Sequence, residues 1–305
     1  MKFLSINTIK IIAAFVFVAF IFGCASNRNK DKKDVVEVEF FDIERDIFEE
    51  IDQAKKIFYS LPSPLETAML IKTAGAYYDE ELLNPVENAS RYTTNKSMAL
   101  NLGIYTCDLS FASLFDQTQA SISYMSAAKK MADGLGILEA IDNEVIERLE
   151  ENVNNRDVIM DIISETFMTS SSFLADNQRP AIAAIILVGG WIEGLYIAVE
   201  LIGDSSIENN KLVGRVVDQK LSLGIVIRLL EENMENEDVV YLMGLINELK
   251  EIFDKIQISS SKIETVVDEE TNVTTLKSVS KDNLTRDVFQ ELSEKIKAIR
   301  SNFVS

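Results

Sequence analysis

Four residues in two apolar stretches carry the side chains best suited to chemistry. Trp191 and Glu193 lie in AIAAIILVGGWIEGLYIAVELIG, residues 181–203, and Tyr105 and Asp108 lie in LNLGIYTCDLSFA. A carboxyl in such apolar company has its pKa raised by desolvation unless a cation pairs with it, and raised carboxyls serve as binding groups or general acids. If the two stretches face each other, Tyr105, Asp108, Trp191 and Glu193 line one central cleft. Paired carboxylates with aromatic rings resemble a sugar-processing site, in which their separation decides the stereochemistry of hydrolysis. The ordinary alternative is a Lys or Arg partner that neutralises Glu193.

The rest of the composition removes most other chemistry. The chain has no histidine, which excludes the usual nucleophilic triads, the HExxH zinc site and every imidazole ligand. Cys107 sits in GIYTCDLSFASLF, where it reads as a small hydrophobe inside a helix. DEETN, residues 268–272, gathers acids but lacks the ligand order of a calcium loop, so it reads as a solvated turn. No metal and no cofactor is expected. Acids outnumber bases by 49 to 30, and so acidic a surface repels phosphate backbones, so nucleic acid is not an expected partner.

The amino terminus supplies an address. Lys2 and Lys10 precede an apolar run from Ile11 to Phe22 that stops before the polar SNRNKDKKD, too short for a helix that needs about 20 apolar residues to cross a bilayer. Ile21, Phe22, Gly23 and Cys24 resemble the lipobox of bacterial lipoprotein precursors. That resemblance implies cleavage before Cys24, acylation of its sulfur and a lipid-anchored mature protein, with several chains together giving stable attachment. Cleavage removes Lys2 and Lys10 and no acid, leaving 28 basic residues against 49 acidic ones, a net charge of −21. Residues 25–37 read as a flexible tether. No acidic cluster follows Cys24, so the expectation is the outer membrane's periplasmic face. The body resembles uncharacterised all-helical bacterial lipoproteins, a likeness that carries no activity.

The elements that must position the four residues are helices. Four prolines and twelve glycines in 305 residues leave long uninterrupted segments. Apolar spacing predicts helices over 41–57, 64–80, 95–115, 117–134, 142–153, 156–176, 180–202, 207–232, 236–257 and 282–302. SPLE at 63–66 and NPVE at 84–87 read as helix starts, with Ser63 or Asn84 as the cap. KIETVVDEETNVTTLKSV predicts a β-hairpin from Lys262 to Val279, although the same stretch suits a loop.

LEENVNNRDVI at 149–159 and LEENMENEDVV at 230–240 share seven of eleven residues, and Gly103 aligns with Gly190. This predicts an internal duplication with units of about 95–176 and 180–257, packed as one all-α, multi-helix antiparallel bundle with approximate two-fold symmetry inside a domain of 38–305. Seven extra residues precede LEEN in the first unit, enough to lengthen a helix by about two turns. Segment 95–115 reads as amphipathic and segment 180–202 as the central helix of a soluble bundle rather than a membrane span. Gly190 and Gly194, four apart, offer one face for close helix packing or for a ligand.

The functional expectation is a non-catalytic binding or scaffold protein of the cell envelope, held by its anchor and meeting another envelope protein. A small-molecule or glycan receptor using the central cleft is the second reading, and a carboxylate-dependent hydrolase the third.

Overall fold

The computed structural model describes residues 69, 71–73, 75–138, 143–152, 155–203, 205–208, 210–260, 264–267, 274–277 and 280–305. The signal segment, Cys24, the tether, helix 41–57, the SPLE start and DEETN lie outside them. Helices dominate the remainder: α1 (Asn95–Leu114), α2 (Thr118–Gly134), α3 (Asn143–Glu151), α4 (Arg156–Asp176), α5 (Pro180–Ile202), α6 (Lys211–Glu231), α7 (Glu237–Phe253) and α8 (Arg286–Phe303). The protein is an all-α multi-helix bundle.

Local sequence explains most of the helix starts. Thr94 caps α1 in a reciprocal box with Ser97, and Asn210, Asn236 and Thr285 accept from the first free N–H groups of α6, α7 and α8. Pro180 occupies the first turn of α5, where its missing N–H costs nothing. NPVE departs from the expectation. Val86–Ser90 is a short 3₁₀ turn without a side-chain cap, because the Asn84 side chain is buried and bonds Tyr92 and Asn101 instead.

Between α7 and α8 the chain forms antiparallel strand pairs. Glu264–Val267 (β2) pairs with Thr274–Lys277 (β3), as the hairpin reading expects. Ile258–Ser260 (β1) and Ser280–Asp282 (β4) extend the pairing, offset by one residue in register.

The α1–α5 pair forms the centre. It is the most extensive contact between elements, followed by α1 with α2, while α5 also meets α6, α8, α4 and α7. α1 packs on α2 and α4, and α5 packs on α6 and α7. The extra residues of the first unit do not lengthen a helix. Gly136 takes a left-handed φ of 67°, and the N–H of Ile137 bonds back to Ala132 O at 3.0 Å, so the chain stops at LGI 135–137 and restarts as α3. The matching LGI at 223–225 runs through the interior of α6.

α5 has the length and apolarity of a membrane span, but 94% of its most apolar window is buried inside the bundle. The amphipathic reading of α1 does not hold. Nearly every residue from Ala99 to Leu114 is buried, including Asn101, Asp108, Ser110 and Ser113. Asn101 and Asp108 face an internal polar layer, while Ser110 donates back to Thr106 O at 2.8 Å and Ser113 meets Ser121 of α2 at 3.1 Å.

Close packing of α1 on α5 rests on glycine. A Cβ at Gly103 would lie 1.9 Å from Ile186 O and 2.6 Å from Gly190 N, and one at Gly189 would lie 2.2 Å from Leu100 O. The backbones therefore touch at Gly103, Gly189 and Gly190. Alanine is worth up to about 1 kcal/mol over glycine in an unconstrained helix, and nothing lies within 4 Å of a Cβ at Gly244. Chemical denaturation should find Gly244→Ala stabilising by about 0.5–1 kcal/mol and Gly103→Ala destabilising by about 3 kcal/mol or more, since backbone cannot move aside as a side chain can. Equal effects from the two variants would contradict this contact.

Candidate functional site

Beyond the glycine crossing, α1 and α5 bring two carboxyls together. Asp108 and Glu193 are both 0% exposed, and their carboxyl groups share a hydrogen bond. Arg300, from the last turn of α8, donates through Nε to Glu193 Oε2 at 3.0 Å and through Nη2 to Oε1 at 3.1 Å. This two-pronged geometry is the strongest form of carboxylate pairing. The guanidinium stacks 4.5 Å from the Tyr196 ring centroid and reaches Leu82 O at 3.4 Å. The cation expected as the ordinary explanation for Glu193 is thus Arg300, and it is itself largely buried.

One guanidinium faces two carboxyls. Asp108 Oδ2 accepts from the Asn84 N–H at 3.2 Å, while Oδ1 has no donor if both acids are ionised. A proton kept on Asp108 and given to Glu193 resolves this. Burial, then the charge of Glu193, holds the Asp108 carboxyl well above its usual range against the opposing pull of Arg300. Burial also pushes Glu193 up, with Arg300 drawing it back. The trio is neutral with one proton, and that is the form tolerated in a medium where unpaired charge is expensive.

The layer extends through amides and phenols. Asn84 Nδ2 donates to Asn101 Oδ1 at 3.0 Å and to Tyr92 at 3.1 Å, and Asn101 Nδ2 donates to Phe303 O at 2.9 Å. Tyr92 donates to Val304 O at 3.3 Å. Tyr105, fully buried, donates to Pro85 O at 3.0 Å. Residues 82–92, α1, α5 and the end of α8 are joined by this network.

Of the four residues singled out in the sequence, three meet here: Asp108 and Glu193 directly, and Tyr105 on the adjoining segment. Trp191 does not. It lies two positions from Glu193 and so turns towards α6, where its indole N–H donates to Gln219 Oε1 at 3.0 Å. The expected central cleft is not formed, because Arg300 and residues 82–92 fill the space in front of the carboxyls. Gly194 with Trp191 borders a void of about 20 Å³, room for little more than one water. Gly189, which the four-residue spacing overlooked, takes part in the helix contact with Gly190.

Arg300, Asn84 and Asn101 were missed by the sequence reading. A bifunctional Asn84 preceding Pro85 reads as a cap, and an arginine in the last turn of a solvated helix reads as surface charge. Cys107 is buried as expected, and burial raises its thiol far out of the reactive range. Among the described residues no group of three potential ligands could hold a metal ion. The chain matches no family model, no curated protein and no solved structure.

Two outcomes follow from the shared proton and the single cation. An unfolded Asp titrates near pH 4, so above that pH the folded chain retains a proton that the unfolded chain has lost, and stability declines with rising pH by up to about 1.4 kcal/mol per unit until the folded value is passed. Asp108→Asn keeps the acceptor for Asn84 and the donor for Glu193 without titrating. Urea unfolding from pH 5 to pH 9 should show its advantage over the wild type growing with pH, and parallel curves would refute a retained proton. Arg300→Ala strands a buried carboxylate and should cost about 3–5 kcal/mol at neutral pH, with Glu193→Gln on the same background recovering part of the loss.

Proposed function

We propose that this protein is a lipid-anchored, non-catalytic binding protein of the bacterial cell envelope, attached through Cys24 and facing the periplasm from the outer membrane. The observation that carries the non-catalytic reading is the burial of Asp108 and Glu193, both 0% exposed and held against Arg300. Both carboxyls are sealed from solvent, and hydrolysis needs two carboxyls with water or sugar between them. The anchor reading is supported by the sequence at Ile21 to Cys24. A body of net charge −21 after cleavage stays soluble beside the membrane and is poorly suited to nucleic acid.

The test combines metabolic labelling with a tagged fatty acid and fractionation of the envelope. Wild-type protein should carry the label and sediment with membranes, and Cys24→Ser should lose the label and leave the membrane fraction. An unmodified amino terminus in the soluble interior of the cell would sink the proposal.

A further inference from the structure

An opening near the core lies away from the carboxyl layer, between α1, α2, α4 and α5. It is a cavity of about 110 Å³. Its deep walls are apolar, formed by Leu109 of α1, Ala132 of α2, Ile163 and Leu174 of α4 and Ile186 of α5, all buried. One end reaches the surface, where Met125 and Ala128 are half-buried and Lys129 is exposed. An apolar protein cavity of about 150 Å³ stays dry and accepts benzene. The space here is of that order, and the flexible Met125 borders it.

One polar group in the wall is left unanswered. Thr166 lines the cavity, and its hydroxyl is shielded from solvent without a hydrogen-bond partner. Threonines nearby behave differently: Thr106 donates to Leu102 O at 2.7 Å and Thr169 to Glu165 O at 2.9 Å, each one helical turn back. A buried hydroxyl without a partner costs about 1–3 kcal/mol. The other hydroxyls in the wall are Thr106 and Ser170, and Thr106 already donates to Leu102 O, so a water beside Thr166 finds few of the two to four polar partners it needs. A ligand with an apolar body and one hydrogen-bonding group fits both features.

We propose that this cavity binds a small, uncharged, single-ring molecule bearing one hydroxyl, phenol-like in size and polarity, whose hydroxyl pairs with Thr166. The apolar lining selects the ring. Thr166 selects the hydroxyl, and the lack of any buried charge in the wall disfavours an ionised ligand. The inference refines the binding function proposed above, yet it fails separately from it, because ring binding by the purified chain does not depend on acylation.

The experiment is a calorimetric titration of the purified full chain with phenol and with toluene, alongside melting curves. Wild-type protein should bind both at one site, phenol more tightly, with a rise in melting temperature. Thr166→Val keeps the shape and removes the hydroxyl, so it should weaken phenol about five- to tenfold and leave toluene within about twofold. Ala128→Leu, which fills the mouth, should abolish both while the protein still melts cooperatively. If that variant does not fold, the isosteric Thr166→Val decides the matter alone. No saturable binding by the wild type, undiminished binding in Ala128→Leu, or an equal loss of phenol and toluene in Thr166→Val would each overturn the proposal.

Discussion

Backbone touches backbone where α1 crosses α5, and the interior is arranged around that contact. Gly103, Gly189 and Gly190 remove the side chains that would hold the two helices apart. A close approach maximises dispersion between the flanking apolar residues, but it also carries every nearby side chain inward. Asp108 and Glu193, each tolerable on a helix facing solvent, are brought against each other in a dry core. The glycine crossing thereby creates an electrostatic problem that the surrounding chain must answer.

The answer comes from distant parts of the sequence. Arg300 enters from α8, the last helix, and the Asn84 N–H enters from the segment before α1. Each is drawn in because an unmatched buried charge or acceptor costs more than a hydrogen bond returns. Asn101 then ties α1 to the Phe303 carbonyl, and Tyr92 ties the same region to Val304. A requirement created by two central helices thus fixes where the carboxy-terminal helix ends. The polar layer contributes uniqueness of arrangement more than net stability, since apolar groups of equal shape often serve as well.

The cavity beside α2 and α4 has the opposite character. There the chain breaks at Gly136 between α2 and α3, whereas α6 runs on through its own LGI without a break. The α1–α5 pair thus borders both a filled polar layer and an apolar space.

Helix positions were legible along the chain because caps and apolar spacing act over one or two turns. The observed α1, α4 and α5 begin and end within a residue of the sequence expectation. The buried status of Cys107 and the central place of 180–202 were readable for the same local reason. What local pattern could not supply was direction around the bundle. Segment 95–115 looked amphipathic because its polar residues give no sign of which neighbour they face. Trp191 and Glu193 looked like partners because they are close in sequence, although two helical positions point them apart. Arg300 has no local mark at all, since its role depends on a carboxylate 107 residues away. The chain by itself determined which segments coil and which faces are apolar, through short-range sterics and hydrogen bonding. Tertiary packing decided which acids are buried, which cation meets them and where space remains, because those depend on long-range contacts that form only when distant helices share one core.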